Sequence, residues 1–189
     1  MNLVHLWYCN SGGWARALHR RIMPWVLDDV ELGSDVLEIG PGPGRGTEWL
    51  MRRVPKLTSL EIDRSLANKL KARMTDTNVT VVEGDGTKMG FPDSSFSGAV
   101  SFIMLHHVPS GELQDRLITE TFRVLKPGGV FAGADSIPSL RWNLFHVFDT
   151  RVPVDPEGFR GRLEGAGFAE VTVERGSGTF RFFGKKPIS

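Results

Sequence analysis

A single cysteine, Cys9, stands among the 189 residues. One thiol forms neither an internal disulfide nor a cysteine-based metal cluster, so the sequence predicts no metal site, and a reducing, cytoplasmic setting is the simpler reading. Neither charge is in surplus: 23 Lys and Arg against 22 Asp and Glu leave a net charge of +1. That falls short of the broad cationic field that supports sequence-independent nucleic-acid binding, and no nucleic-acid partner is expected. Every apolar run stops well before the ~18 residues needed to cross a bilayer. Residues 1–9 lack the basic start, apolar run and small-residue cleavage site of a secretion signal. These absences predict a soluble protein without stable membrane insertion. What is present, 40% hydrophobic and 24% charged residues, is ordinary globular usage at single-domain length, which excludes disorder as the main state.

Large apolar residues at Trp14, Leu18, Ile22, Trp25 and Val26 share one helical face, with Arg16, Arg20 and Arg21 elsewhere. This predicts a leading amphipathic helix capped by Ser11, with a kink or break at Pro24 just before Trp25. Short apolar strands then alternate with helical patterns. Strands are expected at 36–39, 57–62, 79–83, 99–104 and 130–134, and helices at 47–54, around Leu66 to Met74, and from Leu113 to Leu125. Such alternation implies right-handed crossovers and a parallel sheet covered on both faces. Residues 135–154 interrupt the rhythm with Trp142, Phe145 and Phe148 and read as an insertion. Asp155 and Pro156 then open a short helix, and 171–174 with 179–183 read as a closing antiparallel hairpin.

Ligands of open parallel sheets bind beyond the carboxyl ends of the strands. There the first strand runs into Gly40-Pro41-Gly42-Pro43-Gly44, a turn that lets backbone approach a ligand closely. A glycine turn by itself is also a plain structural device. Glu61, 21 residues after Gly40, ends the second strand, near the spacing of a carboxylate that receives both hydroxyls of an adenosine ribose. Asp85, between Gly84 and Gly86, ends the third and can accept a hydrogen bond from an adenine amino group. Three consecutive strand ends thus carry nucleoside-binding chemistry. A dinucleotide fingerprint wants Gly or Ala three residues beyond Gly42, where this chain has Arg45, which counts against NAD.

With Val36-Leu37-Glu38-Ile39-Gly40-Pro41-Gly42-Pro43-Gly44, Leu60-Glu61-Ile62-Asp63, Glu83-Gly84-Asp85-Gly86 and Leu125-Lys126-Pro127-Gly128-Gly129 in order, the chain resembles the class I S-adenosylmethionine-dependent methyltransferases. The resemblance runs from about Val36 to the end. It implies a Rossmann-like, doubly wound α/β fold with a seven-stranded, mostly parallel sheet of order 3-2-1-4-5-7-6, strand seven antiparallel. A single methyltransferase domain is expected over 1–189, with 1–33 a helical cap and 135–154 a substrate-side insertion. The implied cofactor is S-adenosylmethionine. Gly40, Pro41 and Gly42 would lie against its methionine part and Glu38 would orient the amino group. Glu61 would hold the ribose hydroxyls, Ile62 would pack on adenine, and Gly84, Asp85 and Gly86 would form the adenine edge. Phe102 would sit near the reacting methyl. Ser97 stands where the family usually has aspartate, a departure that bears on local packing.

Methyl transfer from a sulfonium needs alignment and exclusion of water more than a dedicated catalytic group. Where the acceptor carries a proton, His106 or His107, just beyond strand four, is placed to take it; one of two adjacent histidines packing inside is the competing reading. Trp14, Trp25, Trp142, Phe145 and Phe148 lie outside the shared core and point to an apolar or aromatic small molecule, or a lipid-like compound, unless they simply pack. Ribosomal RNA adenine dimethyltransferases place Asn or Asp, Pro and an aromatic after strand four, whereas this chain has Ser101-Phe102-Ile103-Met104. Base methylation is therefore not expected. An NAD-dependent oxidoreductase and a non-catalytic S-adenosylmethionine-binding protein remain as alternatives.

Overall fold

The computed structural model describes residues 7, 9–138 and 151–188. The leading helical segment is α1 (Gly12–Ala17), a π-helical turn at Leu18–Ile22, and α2 (Met23–Leu27). Ser11 caps α1 by accepting from the Trp14 N–H at 3.1 Å. Disruption was expected just before Trp25 and comes one turn earlier. Pro24 lacks the N–H for the preceding helical turn, and the wider π turn takes up that gap before α2.

The remaining elements are β1 (Asp35–Ile39), α3 (Arg45–Leu50), β2 (Lys56–Glu61), α4 (Arg64–Arg73), β3 (Val79–Glu83), β4 (Phe96–Phe102), α5 (Gly111–Val124), β5 (Leu125–Ser136), α6 (Pro156–Gly165), β6 (Ala169–Arg175) and β7 (Thr179–Lys185). They form a seven-stranded sheet of order β3-β2-β1-β4-β5-β7-β6. β1 pairs in parallel with both β2 and β4, and β7 runs antiparallel between β5 and β6. The chain leaves β1 toward β2 and β3, then returns to β4 on the other side. The carboxyl ends of β1 and β4 therefore flank the crevice where strand order reverses.

Period-two alternation splits the core between the faces. Val36, Leu57, Val79 and Val100 pack against the π turn, α2, α3 and α4 through Leu18, Met23, Val26, Leu50 and Leu70. Leu37, Ile39, Ala99 and Phe131 pack against α5 and α6 through Leu117, Ile118, Phe159 and Leu163. Ser110 caps α5 and Asp155 caps α6, the latter with Pro156 in the first turn. Ser97 ties β4 to the approach to β1: its hydroxyl accepts from the Asp35 N–H at 3.0 Å and lies 2.9 Å from the Leu32 carbonyl. The residue that departs from the family pattern thus supports local packing by itself.

Phe131, Phe159 and Phe182 meet edge to face, with centroids 4.9 and 5.0 Å from Phe182. Since Phe182 is fully buried, Phe182→Ala is expected to lower unfolding stability by about 3–5 kcal/mol. Urea titration reads this directly, and a loss under ~1 kcal/mol would mean that the aromatic cluster is not packed in this way.

Candidate functional site

A cleft of about 430 Å³ opens at the carboxyl ends of β1 to β4. Its floor is the glycine turn. Gly40 has φ +68°, and a Cβ there would fall 2.2 Å from Met104 Cγ, so only glycine allows β1 to turn against the segment after β4. Gly42, at φ +53°, has no heavy atom within 4 Å of its Cβ position. Its N–H donates to Glu61 Oε2 at 2.8 Å. Glu61 Oε1 accepts from the Asp63 N–H at 2.9 Å. The end of β2 is therefore tied to the turn after β1 by one carboxylate. Each of its oxygens can still accept another hydrogen bond, as a vicinal diol requires.

Glu61 is only 5% exposed, and burial pushes its carboxyl above the usual range against the opposing backbone N–H groups. Glu38 lies deeper. Its Oε2 accepts from Thr47 Oγ at 2.6 Å and Ser59 Oγ at 2.7 Å. Burial outweighs these bonds and raises its pKa to about 7, with Glu61 adding repulsion. Asp85 is exposed, and its Oδ1 accepts from the Thr87 N–H at 2.8 Å. Ile62 lines the cleft while 69% exposed, an apolar side chain open to a flat partner.

All ten residues expected around a cofactor, Glu38, Gly40, Pro41, Gly42, Glu61, Ile62, Gly84, Asp85, Gly86 and Phe102, line this one cleft. At its far end stand Phe102, Ile103, Met104, His107, Val108, Pro109 and Leu113. Ile103 is β-branched yet adopts φ +53°, a conformation that costs of order 1–3 kcal/mol and persists only where its surroundings impose it. Its N–H donates to the Ala134 carbonyl at 2.8 Å. The strained bend swings Met104 against Gly40.

The two histidines part company in the 3₁₀ turn Leu105–His107. His107 lines the cleft. His106 does not; it is fully buried, with Nδ1 2.5 Å from Asp135 Oδ1 and its backbone N–H donating to Asp135 Oδ2 at 3.2 Å. Buried and engaged by a carboxylate, it is a support for the turn rather than a group facing a ligand. Asp135 escaped notice in the sequence because it was assigned to the insertion, whereas β5 extends through Ser136. The signal for it in the sequence is an acid at the end of strand five, of the kind that marks Glu61 and Asp85 at the ends of strands two and three. Gln114, also buried, completes the support by donating to the Leu105 and Val152 carbonyls at 3.1 and 2.9 Å.

Cys9, Trp14 and Leu18 close one side of the cleft. Trp25, expected over the same edge, packs on the turn of the β6–β7 hairpin: its ring lies against Gly176 and 5.3 Å from the Arg181 guanidinium. That turn lies beside the carboxyl end of β5, where Thr179 pairs with Ser136, so Trp25 stays at the carboxyl edge of the sheet but does not line the cleft. Trp142, Phe145 and Phe148 lie outside the described residues.

A family described as a methyltransferase domain matches residues 37–133, just over half of the chain. The chain belongs to this family, within the class I S-adenosylmethionine-dependent methyltransferases. It is 34% identical over 112 residues to the fatty-acid O-methyltransferase of Mycolicibacterium smegmatis, covering 58% of this chain and 39% of that protein. It is 38% identical over 77 residues to a probable ribosomal RNA small subunit methyltransferase A of Methanospirillum hungatei, covering 38% of this chain and 30% of that protein. The matches thus span less than half of either relative. Among solved structures, an S-adenosylmethionine-dependent methyltransferase from Aquifex aeolicus superposes with a TM-score of 0.76 at 18% identity, covering 98% of each chain. A phosphoethanolamine N-methyltransferase of Haemonchus contortus, solved with phosphomonomethylethanolamine and S-adenosylhomocysteine, gives 0.75 at 16% identity, covering 97% of this chain and 57% of that one. At such identities the likeness is one of fold. Among the described residues no helix is long and apolar enough to cross a membrane, and no cluster of His, Cys, Asp or Glu could hold a metal ion.

Removing Asp135 leaves the buried His106 and two N–H groups without their acceptor. Asp135→Ala is therefore expected to cost about 3 kcal/mol or more in chemical denaturation. A loss below ~1 kcal/mol would show that the pair does not hold the turn.

Proposed function

We propose that the protein transfers a methyl group from S-adenosylmethionine to a small-molecule or lipid-like acceptor with an apolar or aromatic body. The observation that carries this reading is the meeting, in one cleft, of Glu61 bonded to the Gly42 N–H, Asp85 at the neighbouring strand end, and an apolar far end from Phe102 to Leu113. The residues fit the cofactor by their chemistry. The Glu61 carboxylate receives the ribose hydroxyls, Ile62 supports one face of adenine, and Asp85 with the Gly86 backbone meets the adenine edge. Gly40, Pro41, Gly42 and Gly84 allow close approach, and Glu38 orients the amino group. When bound, the sulfonium supplies an activated methyl group near Phe102. His107 is positioned to receive the acceptor's proton, with His106 and Asp135 fixing the turn that carries it. Trp14 and Leu18 exclude water from the open side.

An apolar far end favours a small acceptor over an RNA base, and so does the absence, after β4, of the polar, proline and aromatic residues that align a base amino group. Balanced charge points the same way. The fatty-acid O-methyltransferase name of one relative supports this choice, while the ribosomal RNA relative defines the competing acceptor.

S-adenosylhomocysteine at a hundred times its Kd is expected to stabilise the protein by about 2.7 kcal/mol, and Glu61→Ala to abolish most of that gain. Unchanged melting with both S-adenosylmethionine and S-adenosylhomocysteine would overturn the cofactor assignment. Incubated with methyl-labelled donor and fractionated cell extract, the protein should label the small-molecule or lipid fraction. Label confined to RNA would contradict the acceptor class.

Glu38 makes cofactor affinity depend on pH. The free carboxyl, raised to about 7 by burial, holds its proton at pH 6, and the cofactor's ammonium favours the ionised form. Affinity should therefore fall on going from pH 8 to pH 6, by up to roughly tenfold per unit below the pKa. Calorimetric titration with S-adenosylhomocysteine should show this fall, and Glu38→Gln should flatten it; equal slopes in both proteins would refute the coupling. In the unliganded fold the same shift acts on stability. Raised from 4.5 to about 7, the group contributes stability that is fully present below pH 4.5 and is lost as pH rises through about 7.

A further inference from the structure

The near balance of charge over the whole chain hides an uneven distribution. Asp and Glu number 22 in all, yet none occurs before Asp28, whereas Arg16, Arg20 and Arg21 do. Residues 1–27 therefore carry +3, which leaves 20 Lys and Arg against 22 Asp and Glu in the remainder, a net −2. In the fold the three arginines fall on α1 and the π turn, and all are exposed. Among the described residues none of them joins an ion pair or a side-chain hydrogen bond. Glu48, on α3 beside the π turn, does not neutralise them, because Arg45 and Arg73 hold it at 3.2 and 3.4 Å.

The other face of the same segment is fixed on the domain. Leu18 and Met23 are buried in the core, Trp14 and Leu18 close one side of the cleft, and His19 Nε2 lies 2.6 Å from the Arg45 carbonyl. The basic face is thus held outward on the element that walls the cleft. Because the apolar face stays in the core, the segment is not free to sink into an apolar phase, and what it offers a partner is charge. At its start Trp7 is 73% exposed, an amphipathic ring of the kind that settles at the headgroup layer of a bilayer.

We infer that Arg16, Arg20 and Arg21, with Trp7, form a docking surface for an anionic lipid bilayer. The inference rests on the proposed function for its purpose, a lipid-like acceptor, and adds the surface from which that acceptor is drawn. Anionic headgroups supply the complementary charge, and a planar surface meets three arginines on one face while the acidic remainder of the domain stays clear of it. A polynucleotide needs a broader cationic field than this. Attraction of this kind is peripheral, reversible and screened by salt.

Co-sedimentation with vesicles, in the absence of cofactor, tests it. Vesicles of phosphatidylcholine alone are compared with vesicles of equal parts phosphatidylcholine and phosphatidylglycerol. The wild type should sediment with the mixed vesicles, remain in solution with phosphatidylcholine alone, and be released by molar salt. Each arginine replaced by glutamine should weaken adsorption roughly fivefold, and Arg16→Gln, Arg20→Gln and Arg21→Gln combined about a hundredfold. The three side chains are exposed, so the combined variant should melt as the wild type does; if it does not fold, the single variants decide. Equal adsorption to both vesicle types, adsorption to neither, adsorption unchanged in the variants, or retention by RNA but not by vesicles overturns the docking surface. Since the assay contains neither methyl donor nor acceptor, such a failure leaves the transfer reading intact. Conversely, a wild type that adsorbs but labels only RNA keeps the surface and overturns the acceptor class.

Discussion

One hydrogen bond organises the functional end of this molecule: the Gly42 N–H donates to Glu61 Oε2 across the gap between β1 and β2. A carboxylate that is 5% exposed is expensive to keep in place unless backbone donors hold it, and the Gly42 and Asp63 N–H groups do so from two sides. The bond shapes the glycine turn and aims Glu61 into the cleft at once. Gly40 must be glycine for the turn to pass Met104, and Gly42 must be glycine to hold a left-handed backbone while leaving the cleft side open. The parallel sheet places these groups together because β1 lies between β2 and β4, so that the ends of its neighbours converge on one point.

The same end of the domain concentrates conformational and electrostatic strain. Ile103 sits in the left-handed region, Glu38 is buried with hydroxyl partners and, among the described residues, no cationic one, and the Arg45 Nε–H has no hydrogen-bond partner among them. Each of these weakens the fold taken alone. They persist because the surrounding core is firm: Leu37, Val100, Ile118 and Phe131 are fully buried on the two sheet faces, and the Asp135–His106 pair with Gln114 pins the turn beyond β4. Strain held in this way marks a site shaped for a partner rather than for its own stability.

Much of the fold could be read from the residues because local signals and tertiary demands agree. The third strand, Val79–Glu83, has the expected bounds, and the Asp155 cap with Pro156 opens α6 as anticipated. Where they differ, a neighbour decides. β4 begins at Phe96, three residues early, since Gly98 reads as a breaker although it lets the Leu32 carbonyl approach to 2.5 Å of where a Cβ would stand. β5 begins at Leu125, because Leu125 pairs with Phe96 before the turn that appeared to end the helix. The cofactor-side residues were legible since strand-end glycines and acids carry their chemistry in sequence. His106 and His107 were not separable, being identical neighbours that a single 3₁₀ turn sends to opposite environments. Asp135, 29 residues from His106, is joined to it by sheet pairing alone.

The central claim is spatial, that the adenosine end of a cofactor occupies the cleft framed by Glu61, Ile62 and Asp85. A crystal structure of the protein with S-adenosylhomocysteine tests it most directly. The predicted result has both ribose hydroxyls within hydrogen-bond distance of the Glu61 carboxylate, adenine against Ile62, and the thioether beside Phe102. Density for the nucleoside elsewhere, with the Glu61 oxygens touching only the Gly42 and Asp63 N–H groups, would contradict it.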